Sequence, residues 1–533
     1  MSQENTKIQE NKQEELQDES WRKGKSPWLL SMPTIFAAFM FVLDETVANV
    51  ALPYMAGTFS VSREESTWII TSYLVASGIT IPTVGWFSKL LGRKNFFCLG
   101  VLIFMFASFL CGISNSLTMI VFARILQGFG GGGLLPISQA IMLEAFPVKQ
   151  RPVAMAVFGM VVVLAPIIGP LVGGYITVNY SWHWIFFINI PIGIFTFFIA
   201  KKLLEDPPYA RKQKGVTIDG WGFALLVVWL ATLQIVLDKG NNADWFNSPW
   251  ITRLAILSCA SLITFIIWQL KSKKPLIDLS IFKDKNYTIG TIVQIVISAI
   301  LLGSLAILPQ FLQMLMGYDA ILSGLSMMPR GLGAMTASFL YATLSSKIDN
   351  RLLCAIGLVL MGVAGFSFGF LNLEIATVNI AIPNFVYGLG MALAMVPIIS
   401  LSVITLKNEQ MTNAAGLQNL LKNVGGAVGT SIVTTMISRY SQMHQFSMVK
   451  FLHDLNPVYM ERLSAMKGAF MQFTAPNIAE YMAQYSMYGQ MMKQATLWGF
   501  IDAFRMFGIL AFVIIPLVFL VSKEAKKKEK QKA

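Results

Sequence analysis

The chain has 533 residues, 55% of them hydrophobic and 13% charged, with a mean hydropathy of +0.60. That composition excludes an ordinary soluble domain and fits an all-helical, polytopic membrane protein. A net charge of +13 does not point to nucleic acid, because the basic residues lie in short loops between apolar runs, where they orient a protein in the bilayer.

Residues 1–28 form a hydrophilic tail. Within it Gly24-Lys25-Ser26 has the form of the end of a phosphate-binding loop, but Glu19 stands where the first glycine belongs and no strand precedes it. The first apolar run, about 29–53, contains Asp44 and Glu45 and reads as a retained span rather than a cleavable leader. Since a span needs about 20 mostly apolar residues, thirteen more are expected near 66–88, 95–113, 117–143, 153–176, 183–200, 220–238, 251–270, 287–312, 320–345, 352–371, 378–405, 411–437 and 497–522. An even number puts both termini on one side. The loops on that side carry 29 of the 41 Lys and Arg residues and the opposite loops 8, so both termini are expected in the cytoplasm.

Two halves echo each other. Gly85 to Lys94 after span two and Ser345 to Arg351 after span ten are both short basic turns. Glycines crowd both span five and span thirteen, the latter at Gly425, Gly426 and Gly429. Weak internal symmetry of this kind marks transporters built from repeats. The expected organisation is a six-helix bundle over 29–200, linkers and two inserted helices over 201–286, a second six-helix bundle over 287–522, and a basic tail over 523–533. Residues 438–496 stand apart as a long Met-rich extracytoplasmic loop, fit either to dock a partner or to cap the transporter.

Ionisable groups inside spans are costly, by at least about 2.5–3.5 kcal/mol at the bilayer centre, and are functional candidates for that reason. Asp44 and Glu45 are adjacent, so they point about 100° apart on a helix. A carboxylate there can take and release a proton. Arg124 in span four is followed by Gln127 and Gly128, and Gly128 and Gly132 share its face, which lets a neighbouring helix approach while the guanidinium reaches a carboxylate. Arg330 and Lys422 pose the same question in the second half, and Glu144, at a span end, is expected to be solvated. Val153 to Tyr175 hold no charge yet carry Ala165, Pro166, Gly169, Pro170, Gly173 and Gly174. Small residues every fourth position bare one face, and the two prolines each remove a ladder hydrogen bond. Such a helix can bend and slide, and belongs at a domain interface. Cys98, Cys111, Cys259 and Cys354 lack ligand spacing, and His183, His444 and His453 are too scattered for a metal site. With no nucleotide, nucleophile or metal motif, energy is expected from an ion or solute gradient and no cofactor is called for.

Several segments together resemble the 14-span drug:proton antiporters of the major facilitator superfamily, most closely the EmrB-type multidrug exporters of Gram-negative bacteria, over nearly the whole chain. They are Leu43-Asp44-Glu45-Thr46-Val47-Ala48-Asn49-Val50-Ala51-Leu52-Pro53, Arg124-Ile125-Leu126-Gln127-Gly128, Ala165 to Gly174, His183 to Pro191, and Leu237-Asp238-Lys239-Gly240 with Asp244-Trp245-Phe246. The resemblance implies two six-helix bundles about a cavity plus two extra helices, and proton-driven efflux of hydrophobic drugs by alternating access. It implies proton relay through Asp44 and Arg124, a cavity and span-four motif including Asn49, Gln127 and Gly128, and an antiporter motif at 165–174; Glu45 departs from the small or polar residue usual in the family and is expected either to favour cationic substrates or to add a second proton site. It further implies an inner-membrane location and a periplasmic adaptor leading to an outer-membrane channel, met through 438–496. In the loop after span two Gly85, Gly92, Arg93 and Lys94 fit the family, whereas Lys89 and Leu90 replace its usual Asp and Arg, so a different pair is expected to hold one state. A dedicated exporter of a fatty acid, siderophore or other metabolite, and a non-transporting scaffold or receptor-like homologue, are the alternatives.

Overall fold

The computed structural model describes residues 26–147, 150–206, 211–212, 219–272, 275–318, 320–345, 347–406 and 410–522. Residues 1–25 and 523–533 of the tails, Pro207-Pro208 of the linker and Ser346 of the second basic turn lie outside them. Among the described residues every regular element is a helix. The first bundle comprises α1 (Pro27–Phe59), α2 (Trp68–Leu91), α3 (Arg93–Gly112), α4 (Leu117–Ala145), α5 (Arg151–Asn179) and α6 (Trp184–Leu203). The inserted pair is α7 (Gly220–Lys239) and α8 (Pro249–Lys271). The second bundle holds α9 (Lys285–Met314), α10 (Ala320–Leu344), α11 (Asn350–Ser367), α12 (Thr377–Val403) and α13 (Met411–Val449). A short α14 (Pro457–Phe470) precedes α15 (Pro476–Val513). Eleven helices among the described residues are long and apolar enough to cross a membrane. The chain is therefore a multi-pass membrane protein. Helices α5, α10 and α13 coincide with the other three expected spans, and Arg330, Gln418, Asn419 and Lys422 leave α10 and α13 less apolar than their neighbours.

Local sequence explains the irregularities. Glycines 130–133 interrupt α4, which bends between Gly131 and Leu134, where Gly132 lies against the backbone of Ser77 on α2. Helix α5 runs unbroken from Arg151 to Asn179 through both prolines. It lies between the bundles: it packs along α1 on one side and along α10 and α12 on the other. Helices α2 and α4 also meet α13 across the seam, where Gln139 accepts a 2.8 Å hydrogen bond from Asn419. Helix α7 bridges the bundles at the opposite end. Asp238 accepts from Thr71 of α2 at 2.8 Å, the Leu237 carbonyl accepts from Ser431 of α13 at 2.8 Å, and Trp245 donates to Thr435 of α13 at 3.1 Å.

The segment expected as a long loop is mostly helical. Helix α13 is 39 residues long and α15 is 38, each about 57–58 Å at 1.5 Å per residue, well beyond the hydrocarbon core. Their projecting ends stay paired, His444 with Asp502 at 2.8 Å and Gln445 with Tyr488 at 2.8 Å. Helix α14 folds back on α15 over a small core of Leu463, Ala483 and Met487. The Met-rich, amphipathic sequence suits this, since polar helices in a hairpin need only a narrow apolar seam.

Candidate functional site

Midway along α1, Asp44 turns into the first bundle and is 3% exposed. Three donors from two other helices converge on it. Arg124 Nη1 donates to Oδ2 at 2.6 Å, while Gln127 Nε2 and Asn189 Nδ2 donate to Oδ1 at 2.9 and 2.6 Å. The same two amides donate to Ser108 Oγ, at 2.7 and 3.0 Å, so α3 joins α1, α4 and α6 in one network. Arg124 is fully buried. Its Nη1 also donates to Gln127 Oε1 at 2.8 Å, its Nε to the Ile69 carbonyl at 3.2 Å, and its guanidinium carbon lies 4.3 Å from the centre of the Tyr73 ring. Close approach makes this reach possible: a side chain on Gly128 would strike the Tyr73 carbonyl and Ala76, so α4 can lie directly on α2.

The structure brings Asp44 and Arg124 together, and places Gln127, expected in the cavity, on the same carboxylate. Ser108, Asn189 and Tyr73 complete the site. Asn189 lies inside the segment that resembled the family but carried no mark of its own, and a serine or tyrosine in a span gives no signal until its face is known. Glu45 is half-buried and outside this network; Asn49 is exposed and donates to the Glu45 backbone carbonyl at 3.1 Å.

One turn past Asp44, α1 meets the small-residue face of α5. A side chain on Gly169 would collide with Thr46 Oγ1, and one on Gly173 would come within 3.0 Å of Val47. Thr46 also donates to the Ala165 carbonyl at 3.5 Å. Gly174 is buried beside them and Pro170 half-buried, while the Pro166 side chain lies outside the described residues. The other side of α5 reaches the second bundle, Leu171 near Gly324 of α10 and Gly159 near Val396 of α12.

At the end of the bundle where α1 begins, Arg93 forms a buried ion pair with Glu144. Glu144 was expected to be solvated; instead α4 continues to Ala145, and Trp28 packs edge-on against Phe146 at 4.8 Å beside it. Asp206 accepts from the Lys94 backbone at 2.7 Å. Burial pushes the Asp206 carboxyl above its usual range, against the pull of that N–H and of the Arg93 and Lys94 charges. Gly92 has φ +85°, and a side chain there would meet Asp206. Lys89 is exposed, so Arg93, Glu144 and Asp206 form the charge cluster of this turn, while Gly85 faces Asn413 of α13.

In the second bundle Arg330 is 1% exposed and sits over Tyr387, 4.5 Å from the ring centre. Lys422 is half-buried on α13 and joins neither network.

The model of the Major Facilitator Superfamily matches residues 34–430. The multidrug export protein EmrB of Escherichia coli is 33% identical over 517 residues, covering 95% of this chain and 97% of that protein. The fatty acid resistance protein FarB of Neisseria gonorrhoeae is 34% identical over 93% of this chain and 96% of its own. Among solved structures, the human organic anion transporter MFSD10 superimposes with a TM-score of 0.59 at 14% identity, over 93% of this chain and all of that one.

Proposed function

The chain belongs to the major facilitator superfamily, in its EmrB-type branch, and on that premise we propose that it exports hydrophobic or amphiphilic toxic molecules in exchange for protons. One observation carries the proposal. The Asp44 carboxylate is shared by Arg124, Gln127 and Asn189, and the next turn of the same helix touches the α5 hinge through Thr46 and Gly169. A proton arriving on Asp44 removes an acceptor site, so one donor must turn away. Arg124 then loses its counter-charge, and α1 and α4 shift relative to one another. That shift passes to α5, which packs on both bundles. A proton and a substrate each move the inward–outward population only through unequal affinity for the two states.

The names of the relatives, multidrug export and fatty acid resistance, support amphiphiles as the cargo; a dedicated fatty-acid exporter is the second reading. The basic-loop asymmetry supports cytoplasmic termini in an inner membrane, which reporter fusions after residues 210, 280 and 460 test, the last being the one outside. The α13–α15 hairpin supports an adaptor contact: Phe446 and Phe473 are 83% and 84% exposed, and Phe470, Tyr481, Met482 and Tyr485 line a groove of about 690 Å³. Replacing 445–490 by a short Gly/Ser linker should abolish resistance in cells and adaptor co-purification yet leave exchange in vesicles. Loss of exchange in a folded protein would make the hairpin a gate instead.

Substrate accumulation by energised inverted vesicles tests the main reading. A lipophilic cation or fatty acid should accumulate only while a proton gradient stands, and dissipating the gradient should stop it; accumulation that survives dissipation contradicts proton coupling.

A further inference from the structure

Arg330 lies mid-helix on α10 with no carboxylate paired to it among the described residues. Its contacts are all neutral. Nε donates to Asn384 Oδ1 at 3.1 Å and Nη1 to Ser304 Oγ at 3.2 Å. The Tyr387 ring underlies the guanidinium, and that tyrosine's hydroxyl is spent on the Ile300 carbonyl at 3.2 Å. Nη2 is buried without a hydrogen-bond partner. Arg124 also leaves its Nη2 unpartnered, but its charge is answered by Asp44.

An arginine does not shed its proton in a protein. A buried ion without a counter-charge is costly, and a cation–π contact returns only part of that cost. Asn384 is fixed in orientation because its Nδ2 donates to the Ser326 carbonyl at 3.0 Å, so Oδ1 must face Nε. The cradle therefore holds Nε and Nη1 on neutral acceptors and leaves the buried Nη2 without one. Gly324, where α10 meets Leu171 of the hinge, is six residues away, about 9 Å along the helix.

We infer that Arg330, held by Ser304, Asn384 and Tyr387, is an anion-binding site in the second bundle for a small monoanionic group, either the carboxylate head of an amphiphile or a free halide. The site stands on the geometry; that a carboxylate head is cargo rests on the export reading. No gradient enters its test, so failure of either claim is seen separately.

The test is thermal melting of the full chain in lipid nanodiscs at fixed ionic strength, with HEPES as the reference anion. Chloride forms one arm. Decanoate without chloride forms the other, with decyltrimethylammonium as its cationic control. At least one anion should raise the midpoint by about 2 °C or more, and the cation should not. A shift with chloride alone assigns a free halide; a shift with decanoate in the absence of chloride assigns the carboxylate head. Arg330→Gln should abolish the shift, and Ser304→Ala and Asn384→Ala should each at least halve it. The inference is overturned if neither anion raises the wild-type midpoint, or if Arg330→Gln responds as wild type. Should Arg330→Gln not fold, undiminished responses in both Ser304→Ala and Asn384→Ala overturn it.

Discussion

Each bundle buries an arginine at mid-helix over a tyrosine ring, and the two differ in what answers the charge. In the first, Arg124 lies over Tyr73 and meets Asp44, which three donors share. In the second, Arg330 lies over Tyr387 and meets the amide of Asn384. The helix pairs correspond, α2 with α4 and α10 with α12, but the roles are exchanged: arginine sits on the later helix in one bundle and on the earlier in the other. Glycines permit both approaches, Gly128 against the Tyr73 carbonyl and Gly388 against that of Arg330. One scaffold thus carries a compensated arginine, suited to switching by a proton, and an uncompensated one, suited to receiving an anion.

The strongest way to break the contrast is Asp44→Asn, which gives Arg124 the same kind of neutral partner as Arg330. Uphill accumulation in inverted vesicles should fall by roughly 100-fold or more, the order expected when a proton-transfer group is lost. The variant should still insert and bind substrate, and its melting should gain a second dependence on anions. Next comes Arg124→Ala, which leaves Asp44 as the unpaired ion. It should cripple accumulation and destabilise the protein by about 3–5 kcal/mol, read as an earlier melt, whereas Arg124→Lys should recover part of the transport because charge survives without the fork.

Asn189→Ala and Ser108→Ala keep both charges and remove one support. Asn189→Ala should lower accumulation by about tenfold, equivalent to a hydrogen bond to a charged group at ~1.5 kcal/mol, and Ser108→Ala, which touches Asp44 only through the two amides, by about fivefold, equivalent to a neutral hydrogen bond at ~1 kcal/mol. Wild-type rates in both would confine the site to Asp44, Arg124 and Gln127. The smallest effect is expected at the hinge contact. Gly169→Ala places a methyl against Thr46 and should slow exchange a few-fold, since only the low end of an overpacking cost, about 1 kcal/mol, is expected where the neighbour is a side-chain hydroxyl. Thr46→Ala in the same chain should restore the rate; failure of that rescue would separate α5 from the Asp44 helix.

Much of this was legible because a bilayer makes some residues conspicuous. Asp44 and Arg124 stand out among apolar neighbours, and Gln127 and Gly128 follow at helical spacing. Ser108, Asn189 and Asn384 do not stand out, since uncharged polar side chains are common in spans and only packing decides whether they meet a charge. Glu144 was misjudged because proximity to a span end says nothing of what covers it; Arg93 does. The amphipathic Met and aromatic positions of 438–496 suggested helix packing, but not that α13 and α15 run on without a break past Ile437 and from before Trp498, because hydropathy reports where the apolar run stops and not where the helix does. Arg330 was visible as an intramembrane charge, but its lack of a carboxylate partner could be seen only in three dimensions.

The central claim is that the coupled proton resides on Asp44. Substrate-driven proton movement in proteoliposomes measures this most directly: substrate is let down its own gradient and the internal pH is followed with no applied proton gradient. Wild type should move protons against the direction of substrate, and Asp44→Asn should pass substrate without any pH change. Proton movement in Asp44→Asn equal to that of wild type would contradict the account and place the proton site elsewhere, with the half-buried Glu45 as the first residue to change.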